Sequence, residues 1–369
     1  VVETGAAGGV MVTASHNPAA YNGFKICGAG AVPVGEASGL REIERLAGEA
    51  ASEPRAPAAP APGEVSVRDV AESYAAQALS IARPQKRHRI VVDAGNGMAA
   101  AGLEPVLEFL DLDVIRLFYE PDGRFPNHPA DPLRAENLVD LQRTVVAEGA
   151  DLGVAFDGDA DRAVFVDEHG EVVSADLATG LLATAQLRQH PGGLVLFDLR
   201  SSWATGEAIR AAGGDAQICR VGHSFVKAHM RESGAVFAGE LSGHYYFRFA
   251  NGLIADDAVA AVVCLLAVLD EGQTLSERVA PLRRYFATGE LNREVADPQA
   301  LIEEVAAEHR DAPEVSRLDG LLVRYDDWWF NLRPSNTEPV LRLNLEARSA
   351  ARMAEERDRL LARIDRASG

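Results

Sequence analysis

Along most of the chain, short β-branched apolar runs alternate with alanine- and leucine-rich amphipathic stretches. "HRIVVDAGNG" is an apolar run closed by a glycine turn and predicts a strand, and "MAAAGLEPVLEFL" behind it has helical spacing. "DVIRLF" predicts a strand, "RAENLVDLQRTVVAEG" a helix and "LGVAFDG" a further strand. After Asp176 the alternation restarts, with "LATGLLATAQLRQ" as helix, "GLVLFDL" as strand, "TGEAIRAAG" as helix and "DAQICRV" as strand. Such alternation predicts parallel-rich sheets covered by helices, an α/β class whose ligands sit at the carboxyl ends of strands. The last part differs. "GLLVRYDD", "WWFNLRP" and "VLRLNLEA" are close-set strands, with helices near "PQALIEEVAAEHR" and "SAARMAEERDRLLARI". That pattern predicts a C-terminal α+β domain with an antiparallel sheet.

The 369 residues call for several domains. "ASEPRAPAAPAPGE" (Ala51 to Glu64) is too rich in proline for a helix or central strand and reads as a connection or surface loop. The longest apolar run, "AVAAVVCLLAVL" from Ala258, is twelve residues, which suits a buried helix and is too short for a bilayer. A net charge of −19 repels nucleic acid and anionic membranes, so neither is expected as a partner. An anionic small substrate needs basic residues that reverse the field locally. Cys27, Cys219 and Cys264 are odd in number and far apart, which argues for reduced thiols and a cytoplasmic protein. No secretory segment is visible. The chain opens on "VVETGAAGG" without a run-in to its first strand, so it is expected to begin part-way through its first domain.

Four segments could carry chemistry. In "LGVAFDGDADRAVFVDEHGEVV", Asp157, Asp159 and Asp161 alternate with Gly158 and Ala160. Small interveners let the loop curl, and three hard oxygen donors suit a divalent cation, Mg²⁺ best. An EF-hand would have Glu168 as its twelfth residue but needs glycine where Arg162 stands, between helices rather than strands. A solvated acidic turn is the plainer alternative. In "VMVTASHNPAAYNGFKI", Ser15 and His16 follow the strand "GVMVT"; by itself this is a hairpin or capping serine, but a cation elsewhere in the chain makes it a candidate phosphoryl acceptor. "GELSGHYYF" presents Glu240, Ser242 and His244 on a glycine-bracketed turn, a set able to hold sugar hydroxyls or simply a polar turn. "LRPSNTEPVLRLNLEA" sets Arg333, Ser335, Asn336 and Thr337 between two strands, as a phosphate cradle or a turn. "VVDAGNG" lacks G-x-G-x-x-G and reads as a structural turn.

Taken in order, "TASHNP", "DGDADR", "GELSGH" and "RPSNTEP" resemble the phosphoserine, metal, sugar and phosphate loops of the α-D-phosphohexomutases, and most closely the bacterial phosphomannomutase/phosphoglucomutase branch. "YNGFK", "GRFPNHPADP" and "VGHSFVK" extend the likeness to the whole chain. The resemblance implies three related three-layer α/β domains followed by the α+β module, with limits at 1–63, 64–171, 172–284 and 285–369. It implies that Ser15 carries the phosphoryl group and completes a Mg²⁺ shell with Asp157, Asp159 and Asp161. Lys25, His16 and Arg162 would surround the transferring group. Glu240, Ser242, His244 and His223 would meet the sugar, and Arg333, Ser335, Asn336 and Thr337 the phosphate that stays. Arg200, in "FDLRSS", stands where some members have a lysine facing substrate. The implied reaction interconverts hexose 1- and 6-phosphates through a hexose 1,6-bisphosphate, by a monomer or homodimer. Phosphoglucosamine mutase, a serine-dependent metallophosphohydrolase and a non-catalytic sugar-phosphate binder are the alternatives. "SNTEP" favours the mannose/glucose branch, because phosphoglucosamine mutases usually have glycine at Asn336.

Overall fold

The computed structural model describes residues 1–52, 63–335 and 340–367. Residues 53–62 of the proline-rich segment, and Asn336 and Thr337 of the fourth motif, lie outside the described residues. The first part is an antiparallel ribbon of β1 (Gly8–Val12) and β2 (Phe24–Gly28), followed by α1 (Leu40–Ser52). Ala51 and Ser52, expected in the connection, instead end α1, since alanine continues a helix until proline approaches.

The second part contains α2 (Ala71–Ile81), β3 (His88–Asp93), α3 (Ala99–Leu107), β4 (Leu112–Leu117), α4 (Val139–Glu148), β5 (Leu152–Phe156), β6 (Ala163–Asp167) and β7 (Val172–Val173). A 3-10 turn, Ala135–Leu138, precedes α4 where one longer helix is expected. The third contains α5 (Ala175–Gln189), β8 (Leu194–Asp198), α6 (Trp203–Ala211), β9 (Asp215–Cys219), α7 (His223–Ser233), β10 (Phe237–Gly239), β11 (Tyr245–Arg248), β12 (Ile254–Asp256), α8 (Ala258–Leu269) and α9 (Leu275–Val279).

The two sheets run β4-β3-β5-β6-β7 and β9-β8-β10-β11-β12, the same topology twice. In each the first three strands in sequence pair in parallel, the fourth returns antiparallel through a hairpin and the fifth turns back again, so four of five strands run the same way, as the alternation predicts. The metal motif is the hairpin from β5 to β6, and the sugar motif is the equivalent hairpin from β10 to β11. Because β7 pairs with β6, the second sheet runs two residues beyond the expected limit at 171.

Both sheets are sandwiched. Ile90 and Val92 of β3 face the core with α2 and α3, while Val91 faces Leu141 and Val145 of α4. In β8, Val195 and Phe197 face one core and Leu196 faces Val226 and Met230 of α7. Helix α8 is apolar on all sides and packs against α2, α3, α5 and β6, so one core runs through both parts. Asp257 starts this helix by accepting the Ala260 N–H at 2.8 Å and the Tyr74 hydroxyl at 3.0 Å.

The last part is antiparallel, as its pattern predicts: β13 (Phe286–Glu294), α10 (Pro298–Glu308), β14 (Glu314–Ser316), β15 (Leu321–Arg324), β16 (Trp328–Pro334), β17 (Val340–Ala347) and α11 (Ala350–Ala367), in the order β13-β17-β16-β15-β14. Trp328, Phe330 and Leu345 face the core under α10 and α11. Trp329 faces the other way, against Leu199 of the third part. Beside it Glu346, 2 % exposed, accepts from the Trp203 N–H and the Trp329 indole, both at 3.0 Å. Burial raises its carboxyl pKa, opposed by these donors. Glu346→Ala leaves both buried donors unpaired and is expected to destabilise by about 1–3 kcal/mol, measured by urea unfolding.

Candidate active site

The loop after β1 turns sharply: Ser15 has φ 52°, in the left-handed region that non-glycine residues seldom occupy. Thr13 Oγ1 holds it there by accepting the Ser15 N–H at 2.8 Å, and the Asn17 N–H bonds the Ala14 carbonyl at 3.0 Å. Ser15 Oγ donates to Asp157 Oδ2 at 3.0 Å and lies 3.3 Å from His16 Nδ1. Thr13 Oγ1 donates to Asp159 Oδ2 at 2.8 Å. Lys25, on β2, reaches Asp159 at 2.6 Å and Asp161 at 2.5 Å. The early hydroxyl and the acidic triplet therefore converge.

Gly158 makes that approach possible. A Cβ there would lie 2.4 Å from the Ser15 carbonyl oxygen. Asp157 is fully buried, and its Oδ1 accepts the N–H groups of Asp161 and Arg162 at 3.1 and 3.2 Å. Each of the three aspartates offers an oxygen within 4.8 Å of the others. Asp159 Oδ1 and Asp161 Oδ1 are buried without hydrogen-bond donors. Converging oxygens with lone pairs to spare fit a hard divalent cation, and the strand-flanked hairpin is not an EF-hand. Burial pushes the Asp157 carboxyl up, helped by Asp161 and opposed by Arg162. Burial also acts upward on Asp161, but His244 and Lys25 outweigh it and hold that carboxyl low. Burial and Arg162 depress His16, which favours its neutral imidazole.

The sugar motif meets the metal motif edge to edge. Arg162 and His244 form an isolated bridge, and the Ala163 N–H bonds the Gly243 carbonyl at 3.0 Å. Arg162 Nε donates to His244 Nε2 at 3.3 Å and lies 3.6 Å from Asp157. Ser242 Oγ is 2.8 Å from His244 Nδ1. Glu240 is 1 % exposed and already bonded at both oxygens, by the Gly222 N–H at 2.7 Å and by the Tyr246 hydroxyl. His223 begins α7 and shares with Lys25, Asp159 and Asp161 the lining of a cavity of about 600 Å³. Burial lowers its pKa, as does Lys227.

Arg200 lies between the sugar motif and the face of the last sheet. It is 8 % exposed and pairs with Asp198 at 2.6 Å and Glu290 at 3.4 Å. Asp198 also accepts the Leu241 N–H at 2.8 Å, tying this arginine to the sugar motif. Arg333 lies opposite Arg342 across β16 and β17, and Arg342 donates to Ser335 Oγ at 3.3 Å. Thr13, Glu290 and Arg342 are site residues that motif reading misses. Thr13 could have been found from its place two residues before the serine, and Arg342 from its place on the strand that closes the fourth segment; Glu290 belongs to no motif.

A hairpin bearing carboxylates, its structural twin bearing polar sugar-type groups, and a terminal antiparallel sheet together define the phosphohexomutase class of fold. Domain models of phosphoglucomutase/phosphomannomutase match the chain in order: domain I over residues 1–53, domain II over 69–170, domain III over 175–285 and the C-terminal domain over 290–363. A phosphomannomutase of Salmonella montevideo is 40% identical over 367 residues, covering 96% of this chain and 79% of the relative. A solved phosphoglucomutase/phosphomannomutase family protein of Burkholderia thailandensis superposes with a TM-score of 0.84 at 33% identity, over 97% of this chain and 76% of that one. An Aspergillus fumigatus N-acetylphosphoglucosamine mutase, solved with GlcNAc-6P and magnesium, shares the fold at a TM-score of 0.66 and 17% identity, over 100% of this chain and 90% of that one. The chain belongs to the phosphoglucomutase/phosphomannomutase family, and it is a mutase by that membership. No helix among the described residues is long and apolar enough to cross a membrane.

Proposed function

We propose that the chain interconverts hexose 1-phosphate and hexose 6-phosphate, of mannose, glucose or both, through phosphorylated Ser15 and a hexose 1,6-bisphosphate. The observation that carries this reading is the 3.0 Å contact of Ser15 Oγ with Asp157, across 142 residues of sequence. Asp157, Asp159, Asp161 and the phosphorylated serine would hold Mg²⁺, which supplies charge neutralisation for phosphoryl transfer. The phosphoryl group leaves Ser15 Oγ for the free sugar hydroxyl; one P–O bond breaks and one forms. His16, whose neutral form burial favours, accepts the hydroxyl proton and returns it in the reverse half. Lys25 and Arg162 stabilise the equatorial oxygens. Ser242 and His244 orient the sugar ring with Glu240 behind them, and His223 faces the ring from the shared cavity wall. Arg333, Ser335, Asn336 and Thr337 grip the phosphate at the far end, with Arg200 beside them.

Product analysis tests this directly. Each hexose 1-phosphate, given Mg²⁺ and a trace of bisphosphate, is expected to reach equilibrium with its 6-phosphate. Chelation with EDTA is expected to abolish turnover and added Mg²⁺ to restore it; full activity in chelator refutes the aspartate assignment. Steady phosphate release without isomerisation identifies a phosphohydrolase, and preference for glucosamine phosphate identifies the amino-sugar branch.

A further inference from the structure

Resting on the mutase reading, we propose that Glu290 is a release group for the far-end phosphate: a fixed counter-charge that keeps the cradle's hold weak enough for the bisphosphate to let go and turn. Glu290 lies on β13, opposite Asn344 of β17. Its Oε1 accepts from Arg342 Nη1 at 2.9 Å, and its Oε2 lies 3.4 Å from Arg200 Nη1. It therefore stands between two of the three guanidiniums gathered here. The third, Arg333, is the register partner of Arg342, and its Nε is buried without a hydrogen-bond partner.

Glu290 is not needed to hold Arg200 in place. Asp198 already takes the other arm of that guanidinium at 2.6 Å and is itself fixed by the Leu241 N–H. What Glu290 adds is negative charge at the rim of an anion site, with its side chain 24% exposed. A cradle of three arginines alone would grip a phosphate dianion strongly. Tight grip suits a non-catalytic binder, but it harms an enzyme whose intermediate carries phosphate at both ends. Whichever end enters the cradle must leave again in every turnover. A like charge beside the phosphate weakens the hold, and affinity differences among variants of one site appear mostly in the rate of departure.

Glu290→Gln keeps the shape and hydrogen-bonding reach and removes the charge. Calorimetry with inorganic phosphate and with hexose 6-phosphate is expected to show binding about tenfold tighter than wild type. In the mutase assay KM falls with it, and kcat falls several-fold because release becomes limiting. Glu290→Asp, which keeps the charge, stays near wild-type affinity. Glu290→Ala removes the same charge and is expected to tighten binding likewise, so it decides the matter should the glutamine variant not fold. Unchanged or weaker phosphate binding in the neutral variants overturns the proposal and leaves Glu290 a support for Arg200 and Arg342. Tighter binding in a chain that never isomerises sinks the mutase reading but keeps the release group; isomerisation with unmoved affinity does the reverse.

Discussion

Ser15→Ala is expected to reduce mutase turnover by about 10⁴-fold or more while the fold survives. Ser15 Oγ makes one contact between the parts, the 3.0 Å bond to Asp157, beside which the Thr13 hydroxyl and Lys25 make further bonds to Asp159 and Asp161 that alanine leaves in place. Its turn is fixed by backbone groups, through the Thr13 hydroxyl and the Ala14 carbonyl, and alanine leaves both bonds intact. The left-handed φ of 52° costs alanine somewhat more than serine, so a melting point lower by a few degrees is the expected structural effect. The measurement is turnover beside a thermal melt, with ³²P transfer from labelled hexose bisphosphate to the protein as a second readout. Undiminished isomerisation, or label retained in the alanine variant, rules out Ser15 as the carrier.

Gly158→Ala is expected to lower kcat by about 100-fold without touching any reacting group. The added methyl would lie 2.4 Å from the Ser15 carbonyl oxygen, closer than carbon and oxygen can approach. Gly158 is wedged from behind as well, since the Met98 N–H donates to its carbonyl at 2.9 Å and Gly97 packs against it. The serine loop, hinged on a two-stranded ribbon, is the softer side and must retreat. A displacement of about 1 Å is enough to lose roughly 100-fold in rate. Metal affinity should change little, because Asp157, Asp159 and Asp161 stay where they are. Loss of kcat with Mg²⁺ affinity kept is the expected signature; wild-type kcat shows that the two loops need not meet as closely as they do.

Much of this was legible in the residues because it is local. A β-branched run closed by Gly-Asn-Gly, or an alanine-rich amphipathic stretch, states its structure within ten residues, and the strands around Ile90, Val154 and Leu196 lie where their runs place them. The antiparallel pairings at the ends of the two sheets were harder. Strands such as Val172–Val173 and Ile254–Asp256 are two and three residues long, too short for a period to show, and hairpins place them. The site divides in the same way. Ser15 and the aspartates stand in compact motifs, whereas Glu290 and Arg342 acquire their meaning only when β13 and β17 pair beneath the cradle. Glu240 adds what its motif alone does not state: each of its oxygens already accepts one bond from within the fold, which fixes the carboxylate in place and leaves a lone pair on each.

Helix α8 has a bearing on how such a machine can move. A wholly greasy rod gripped from both sides cannot slide without exposing its surface to water, so the two middle sheets form a single anvil. Any opening that admits a sugar and later lets it somersault must come from the flanks, where the serine ribbon and the terminal sheet act as opposing jaws.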